Sequence, residues 1–353
     1  MPILTIGNIT VGGTGKTPIT EYLIKHLQSS YQLAVLSRGY KRKTKGFLIA
    51  NDPFDWREIG DEPTQLKHKF PEITVAVDED RCHGVEQLMH EKQNPFIDII
   101  LLDDAFQHRS LTPSLSILLI DYNRPINQDS LLPAGNLRES ASQMKRAQII
   151  IVTKCPPDIK PMEMRILTSG IDPLPYQSLF FCTQVQGSLK PIIQKRGFHE
   201  NIIDIPEDSD ADPIEMMDHT IPKTLQQLHL EKRPVLIITG IASPEPFIES
   251  IRNTVDQVST LQFNDHHDFN KRDLKKIDQA FQAIQKNGGI IITTEKDAVR
   301  LQKNELFSAL LPYIYYPTLE IAFLGDDPDA FINKVSEYVR INKRHRTISQ
   351  IKD

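Results

Sequence analysis

The sequence predicts an α/β fold, with a P-loop NTPase-type parallel-sheet domain followed by a second, smaller α/β domain. Short apolar runs alternate with amphipathic segments along the chain, which is typical of parallel strands buried on both faces. The chain has 353 residues, enough for two hydrophobic cores. A glycine-rich loop between the first apolar run and the first helical pattern places a ligand site in the first domain.

The first domain is predicted over residues 1–185. Its amphipathic helices are expected at Thr17–Leu27 and Arg81–His90, where apolar positions recur at helical spacing. The apolar runs that predict its strands are Ile3–Ile9, Leu33–Leu36, Ile73–Val77, Ile97–Leu102, Leu115–Ile120 and Ile149–Val152, with a further strand-like run at Leu179–Val185 after a proline-rich stretch.

A connecting region is predicted over residues 186–232, because it contains an acidic segment without periodicity at Glu207–Asp218. The second domain is predicted over residues 233–353 and is expected to close a cleft against the first. Its predicted elements are strands Val235–Thr239, Val258–Phe263, Ile290–Thr294 and Tyr313–Phe323, and helices Pro244–Asn253, Lys271–Lys286 and Pro328–Lys343.

The composition excludes several classes of protein. With 39% hydrophobic and 25% charged residues the chain is globular, and a net charge of −5 argues against a nucleic-acid partner, which would require a basic surplus. Three widely spaced cysteines predict neither a disulfide framework nor a zinc site. No apolar stretch is long enough to cross a bilayer, and no signal peptide is indicated ahead of the first strand.

The glycine-rich loop is the most specific motif. Phosphate oxygens need backbone N–H groups at close range and the positive end of a helix, which favours glycine and a strand-to-helix junction. The lysine of the motif would reach the β- and γ-phosphates, and Thr17 would ligate Mg²⁺. Thr10 departs from the strict pattern, which has glycine at that position. The predicted ligand is a nucleoside triphosphate, bound by Gly12, Gly13, Thr14, Gly15, Lys16 and Thr17.

An acidic pair, Asp103 and Asp104, follows the apolar run Ile99–Leu102. The carboxyl ends of parallel strands are where open sheets bind ligands, and a carboxylate there can hold the metal of a P-loop site. The spacing predicts a metal site but does not decide which of the two carboxylates approaches the ion.

Three further segments carry candidate charges. Arg38 opens a cluster of four positive charges at residues 38–43, suited to an anionic phosphate, although a solvated basic loop has the same pattern. Asp61 lies in a Gly-Asp-Glu-Pro turn, where an aspartate more often caps the turn than reacts. Arg138 lies in a loop and could also bind phosphate.

In the second domain, Asp265, His266, His267 and Asp268 follow a strand and precede a helix. Adjacent histidines in an extended segment point apart, which disfavours a shared metal ion. The interpretation favoured here is one histidine assisting a base, with helix capping as the alternative.

Taken in order, these motifs resemble the tetraacyldisaccharide 4'-kinase family of lipid A synthesis. The resemblance runs from residue 7 to about 301, and its quoted elements are Gly7-Asn8, Gly12 to Pro18, Ser37 to Tyr40, Gly60 to Pro63, Asp103 to His108, Leu132 to Gly135, Leu137 to Glu139, Gly240 to Ala242 with Pro244, Phe263 with Asp265 to His267, and Thr294 to Val299. Ala105 departs from the family, which usually has glycine there.

The resemblance implies ATP-dependent phosphorylation of the 4'-hydroxyl of a tetraacylated glucosamine disaccharide 1-phosphate, with Mg²⁺. It implies that Lys16 and Thr17 hold the phosphates and the metal, that Asp103 or Asp104 completes the metal site, and that Asp61 is the catalytic base, supported by His266. Arg38 and Arg138 are then candidates for binding substrate phosphate. The implied substrate is a lipid, so we expect a peripheral protein, monomeric, at the cytoplasmic face of the bacterial inner membrane.

The family usually carries an amphipathic, membrane-associated stretch ahead of the first strand, whereas this sequence begins at that strand. Either an upstream helix precedes Met1, or surface contacts such as the basic loop provide attachment. A competing hypothesis is a P-loop ATPase or GTPase acting as a regulatory or assembly switch. The deviant P-loop ATPases carry an extra lysine where this chain has Val11, and a guanine-binding motif is matched only in part at Thr153–Pro156.

Overall fold

The structure, a computed structural model, describes the chain except residues 52–55, 91–95, 109, 193–223, 266, 303, 326 and 351–353, and for residues 343–350 it describes the helix alone. The described chain forms two compact units, one of residues 1–185 with 319–353 and one of residues 186–318. The chain passes between them within two strands. The predicted cleft stays a prediction.

The first unit is built on a sheet that is parallel apart from one short edge strand. The strands are β1 (Ile3–Gly7), β2 (Leu33–Ser37), β3 (Leu48–Ile49), β4 (Thr74–Val77), β5 (Ile99–Asp103), β6 (Leu115–Asp121), β7 (Ile149–Thr153) and β8 (Ser178–Pro191). Their order in the sheet is β8-β7-β6-β1-β5-β2-β4-β3. Strand β1 lies in the middle, and later strands are added on both sides of it. In sheets of this kind, ligands bind at the carboxyl ends of the strands, where the strand order reverses.

Helices cover this sheet and bury its apolar faces. The helix after β1 packs Ile19, Leu23 and Leu27 into the same core cluster as Leu4 and Val35. Each fully buried aliphatic side chain contributes about 1.5 to 3 kcal/mol of transfer free energy. The helices before residue 185 are α1 (Lys16–Leu27), α2 (Trp56–Ile59), α3 (Asp61–Lys69), α4 (Arg81–His90) and α5 (Pro161–Ile171), with 3₁₀ turns at Ile126–Gln128 and Ala141–Arg146.

The second unit repeats the α/β pattern with a smaller parallel sheet. Its strands are β9 (Val235–Thr239), β10 (Val258–Gln262), β11 (Ile290–Thr293) and the start of β12 (Ile314–Leu324), and their order in the sheet is β10-β9-β11-β12. Its helices are α6 (Leu225–Leu230), α7 (Glu245–Arg252), α8 (Lys271–Gln285) and α9 (Glu295–Gln302), with 3₁₀ turns at Glu305–Phe307 and Leu311–Tyr313. The predicted α/β fold class is confirmed.

The end of the chain returns to the first unit, where helix α10 (Ala330–Gln350) packs on α1. Phe331, Val335 and Val339 are fully buried in the core cluster that holds α1, and the Phe331 ring stacks on Phe323 at 4.5 Å between centroids. The structure therefore assigns residues 319–353 to the first unit, whereas the sequence analysis placed them in the second. Of the predicted connecting region, residues 193–223 lie outside the described residues, and residues 186–192 and 224–232 belong to the second unit.

Helix α5 was not predicted, because its sequence lies in the proline-rich stretch. Pro161 occupies the first helical position, where proline has no hydrogen bond to lose, and the Lys160 N–H donates to Glu163 Oε2 at 3.5 Å. Among the described helices, none combines the length and the apolar character that crossing a bilayer requires.

Candidate functional site

The glycine-rich loop connects β1 to α1 at the carboxyl edge of the sheet. Gly12 and Gly15 have φ angles of 91° and 81°, in the left-handed region that favours glycine. A Cβ on Gly13 would meet nothing within 4 Å, so this part of the loop faces open space. Gly15 caps α1 without a side-chain hydrogen bond, which leaves the first N–H groups of the helix available to an anion.

The other side of the loop is tied to residues 136–138. The Val11 N–H donates to the Asn136 carbonyl at 2.8 Å, and the Arg138 N–H donates to the Ile9 carbonyl at 2.7 Å. Thr10, which departs from the strict motif, forms an isolated β-bridge with Leu137. Its backbone is extended, so glycine is not needed at that position.

The acidic pair lies beside this loop. Asp103 is the last residue of β5 and is buried, while Asp104 follows with a φ of 50°. Lys16 Nζ lies 3.6 Å from Asp104 Oδ1, and Arg138 Nη1 lies 3.6 Å from Asp104 Oδ2. The structure therefore brings together the lysine of the loop, the acidic pair and one of the two predicted arginines.

The acidic pair has the properties of a metal site. The Oδ1 atoms of Asp103 and Asp104 are both buried and have no hydrogen-bond partner. Burial raises the pKa of Asp103 to about 7, and the negative charges of Glu62 and Asp104 add to this effect against the charges of Lys16 and Arg81. A cation would relieve this repulsion and occupy the open oxygens.

The acidic pair offers too few side-chain ligands to coordinate a metal ion by itself, and such a partial site is typical of Mg²⁺ bound together with a nucleotide. Within the described residues, no group of three or more His, Cys, Asp or Glu side chains could hold an ion. Mg²⁺ is ordinarily bound by one or two carboxylates, with nucleotide phosphates and water completing its octahedron. The half-buried Thr17 at the start of α1 adds a hydroxyl to the candidate ligands.

Asp61 is half-buried in the first turn of α3. Gly60 before it has a φ of 96°, and a Cβ there would lie 3.1 Å from the Tyr40 carbonyl, so the helix start packs closely on the basic loop. The same Cβ would lie 3.3 Å from Gly39, which follows β2, and β2 pairs with β5, the strand that ends at Asp103. The charge of Glu62 also contributes to the raised pKa of Asp103. The predicted base is thus located in the same region of the first unit as the loop.

The basic loop differs from the sequence interpretation in one respect. Arg42 is bound to Glu79 and to the Gly46 carbonyl, with only 4% of its side chain exposed. The Gly46 N–H and Arg42 lower the pKa of Glu79 to about 2. Arg42 therefore anchors the loop, while Arg38, Lys41 and Lys43 remain exposed.

Two residues near the acidic pair were not singled out from the sequence. Arg81, which begins α4, is only 1% exposed and its charge acts on both Asp103 and Asp104. Burial lowers the pKa of His108, and the charges of Arg81 and Arg38 lower it further. A signal was present, because Arg81 closely follows a buried strand as the acidic pair does, and such positions meet at the sheet edge.

In the second unit, His266 lies outside the described residues. Its neighbour His267 binds Asp273 through Nε2 at 2.8 Å and stacks on Phe263 at 4.9 Å between ring centroids. Asp297 is fully buried and accepts hydrogen bonds from the Gly240 N–H and the Thr294 hydroxyl, each at 2.8 Å. These contacts hold the loops at the carboxyl ends of β9, β10 and β11.

Comparison with known proteins identifies relatives of the whole chain. Residues 1–340 match the model of the family described as LpxK, tetraacyldisaccharide-1-P 4'-kinase. The chain is 45% identical over 351 residues to the tetraacyldisaccharide 4'-kinase of Phocaeicola vulgatus, covering 99% of this chain and 89% of that protein. It is 46% identical over 354 residues to that of Bacteroides fragilis strain YCH46, covering 100% of this chain and 88% of that protein.

A solved structure has a similar fold. The “apo” form of LpxK from Aquifex aeolicus, crystallised in complex with ATP, superposes with a TM-score of 0.65 and is 25% identical, covering 96% of this chain and 88% of that one. The fold, the family match and the identities to the bacterial kinases agree. The chain belongs to the LpxK family of tetraacyldisaccharide-1-P 4'-kinases.

Proposed function

We propose that the chain transfers the γ-phosphate of ATP to the 4'-hydroxyl of a tetraacyl glucosamine disaccharide 1-phosphate, a step of lipid A biosynthesis. The observation that carries the proposal is the open phosphate-binding loop beside two buried carboxylate oxygens without hydrogen-bond partners, in a chain of this kinase family. The related Aquifex structure is a complex with ATP, which supports ATP as the phosphate donor.

The loop holds the nucleotide in this proposal. Backbone N–H groups from Gly12 to Gly15 and the start of α1 bind the phosphate oxygens, and Thr14 lies among them. Lys16 neutralises the β- and γ-phosphates. Its present partner is Asp104 at 3.6 Å, an ion-pair distance that leaves its ammonium hydrogens able to bind phosphate.

Thr17, Asp103 and Asp104 are the residues that would hold Mg²⁺. The ion, when bound, neutralises charge on the phosphates and orients them for transfer. The protein contributes two carboxylates whose Oδ1 atoms are already desolvated and have no hydrogen-bond partner. Because both carboxylates have such an oxygen, the structure favours neither as the metal ligand.

In this proposal Asp61, assisted by His266, accepts the proton of the sugar hydroxyl that is phosphorylated. A carboxylate that accepts the proton of the sugar hydroxyl orients the attacking oxygen, and phosphoryl transfer needs little more than positioning and charge neutralisation. Asp61 is supported by its half-buried place in the first turn of α3, which begins beside Gly39 at the end of β2. The role of His266, outside the described residues, remains a prediction from the sequence.

The remaining cations suit an anionic lipid substrate. Arg138 lies 3.6 Å from Asp104 and so borders the transfer site, whereas Arg38 lies on the exposed basic loop. Lys41, Lys43 and the exposed ring of Tyr40 lie on the same loop. Cationic and aromatic side chains of this kind bind anionic membrane surfaces. We therefore propose a monomer bound peripherally at the cytoplasmic face of the inner membrane.

The test is a phosphate-transfer assay with ATP, Mg²⁺ and the lipid disaccharide 1-phosphate. We expect labelled phosphate in the lipid, and a loss of about 100-fold or more in kcat for Asp61→Asn and His266→Ala, with ATP binding retained. Glu72→Gln, an exposed carboxylate before β4, is the matched control for Asp61→Asn.

Full activity in both variants would contradict the catalytic pair. ATP hydrolysis by the unmodified chain without transfer to lipid would contradict the kinase assignment and favour the regulatory switch.

A further inference from the structure

The carbonyl side of the phosphate-binding loop is held by two cations from neighbouring loops. Arg124, which follows β6, donates from Nη1 to the Val11 carbonyl at 3.0 Å and from Nη2 to the Gly13 carbonyl at 3.5 Å. Lys154, which follows β7, donates from Nζ to the same Gly13 carbonyl. Hydrogen bonds from charged donors are roughly twice as strong as neutral ones, so these are strong restraints on the loop.

A third carbonyl of the loop is held in the same manner. The Thr153 hydroxyl donates to the Thr14 carbonyl at 2.9 Å and lies 3.2 Å from the Ile120 carbonyl. Thr153 is fully buried, at the end of β7. The carbonyls at positions 11, 13 and 14 are therefore all bonded to groups at the ends of β6 and β7.

One carboxylate holds both cations in place. Asp121, the last residue of β6, is buried, and its Oδ2 lies 2.7 Å from Lys154 Nζ and 3.0 Å from Arg124 Nη2. Burial alone would raise the pKa of Asp121, but the hydrogen bonds and charges of Lys154 and Arg124 outweigh it and lower the pKa. Lys154 also has a φ of 59°, an uncommon backbone conformation for lysine that persists only where its surroundings enforce it.

This arrangement fixes the direction of the loop N–H groups. In a planar trans peptide the carbonyl of one residue and the N–H of the next point in opposite directions. Holding the carbonyls of Val11, Gly13 and Thr14 on one side therefore directs the N–H groups of Gly12, Thr14 and Gly15 to the other. Without such restraints the glycines would allow these peptides to rotate.

We propose that Asp121, Arg124 and Lys154 form a positioning cluster that sets the phosphate-binding loop in its binding conformation before the nucleotide arrives. The inference rests on the proposed function for the identity of the nucleotide. The cluster lowers the ordering cost of binding and places two positive charges behind the loop. It contacts loop carbonyls, and its effect on phosphate passes through the loop peptides.

The experiment measures ATP binding by the full chain with Mg²⁺, by titration calorimetry, and the exchange of amide hydrogens at residues 11–17 without nucleotide. We expect Lys154→Met and Arg124→Met each to raise the Kd for ATP by about tenfold, with faster amide exchange in the loop. Lys154→Arg restores a charged donor and should recover most of the affinity. In the transfer assay the KM for ATP should rise while the KM for lipid stays unchanged.

Arg165→Met on α5 and Lys286→Met after α8 are matched controls, because both side chains are exposed and lie outside the site. An unchanged Kd in both cluster variants, or a raised Kd with unchanged loop exchange, would overturn the inference. A loss of ATP affinity in Lys154→Arg as large as that in Lys154→Met would also overturn the inference. If the unmodified chain binds ATP but does not phosphorylate lipid, the proposed function fails while the binding and exchange measurements still decide this inference.

Discussion

Each unit carries buried carboxylates at the carboxyl edge of its sheet, but the two groups differ in how their oxygens are satisfied. In the first unit, Asp103 and Asp104 each keep a buried Oδ1 without a hydrogen-bond partner. In the second, Oδ2 of Asp297 accepts from Gly240 and Thr294, and Oδ1 lies 3.4 Å from Arg300. Buried polar groups are ordinarily satisfied, so open acceptors indicate ligand chemistry and satisfied ones indicate a structural role.

The largest loss of activity should come from a change beside Asp103 and Asp104. Lys16→Met removes the cation that faces both the acidic pair and the nucleotide phosphates. We expect kcat/KM for phosphate transfer to fall by about 100- to 1000-fold. The melting temperature without nucleotide should change little, because Asp104 keeps Arg138 as an ion-pair partner.

Lys25→Met is the control for this change, since Lys25 lies on the same helix with its side chain 66% exposed. A large loss of melting temperature in Lys16→Met would mean that this ion pair is structural, and the contrast between the two units would fail.

A change at Asp297, in the second unit, should lower stability and leave ATP binding unchanged. Asp297→Ala removes the acceptor of the Gly240 N–H and of the Thr294 hydroxyl, together with the carboxylate that faces the buried Arg300 guanidinium. Removing one partner of a buried pair costs about 3 to 5 kcal/mol of unfolding free energy. Urea denaturation should show this loss, while the Kd for ATP should stay unchanged because the phosphate-binding loop lies wholly in the first unit.

Asp297→Asn keeps an acceptor of the same shape and should lose less stability than Asp297→Ala. Equal loss in the two variants would show that the carboxylate charge, more than its hydrogen bonds, holds these loops. A raised Kd for ATP with normal stability would instead give Asp297 a role in nucleotide binding and would end the contrast with the acidic pair.

The parts of this structure that depend on local pattern could be predicted from the sequence. Strand β2 was expected at Leu33–Leu36 and is found at Leu33–Ser37, and α4 was expected at its observed limits. The phosphate-binding loop and the acidic pair were predicted because glycines, a lysine and a strand end fix their chemistry within a few residues. A short continuous run of apolar residues indicates a buried strand, whatever the strand packs against.

The parts that depend on distant partners could not be predicted. The apolar stripe of α10 predicts a buried face, but nothing local indicates that Phe331 packs on the first unit. Likewise the charge run at residues 38–43 does not show that Arg42 is bound by Glu79, 37 positions away. The hydrogen bond from Arg124 to the Val11 carbonyl joins residues 113 positions apart. Each of these contacts is decided by the order of strands in the sheet.

The first unit also has a buried carboxylate with a hydrogen-bond partner near its sheet edge, Asp78. Removing that partner should have the smallest effect among the variants considered, a small change in melting temperature. Asp78 is buried, and its Oδ2 lies 2.7 Å from Nδ1 of His83. The hydrogen bond that His83 donates to Asp78 raises the pKa of His83 above its ordinary value of 6.5. Desolvation opposes this effect, while the charges of Asp78, Asp80 and Glu86 add to it.

A pKa that is raised on folding stabilises the folded state fully below the unfolded value, and this contribution is lost as the pH rises through the folded value. We therefore expect His83→Gln to lower the melting temperature at about pH 5.5 and to have almost no effect at about pH 8.5. Half of the His83 side chain is exposed, so the difference should be roughly 2 °C or less. Calorimetric melting of both proteins at the two pH values measures it. A difference in melting temperature that grows with pH would show that the neutral His83 ring is the stabilising form. Asp78 would then have no cationic partner in His83.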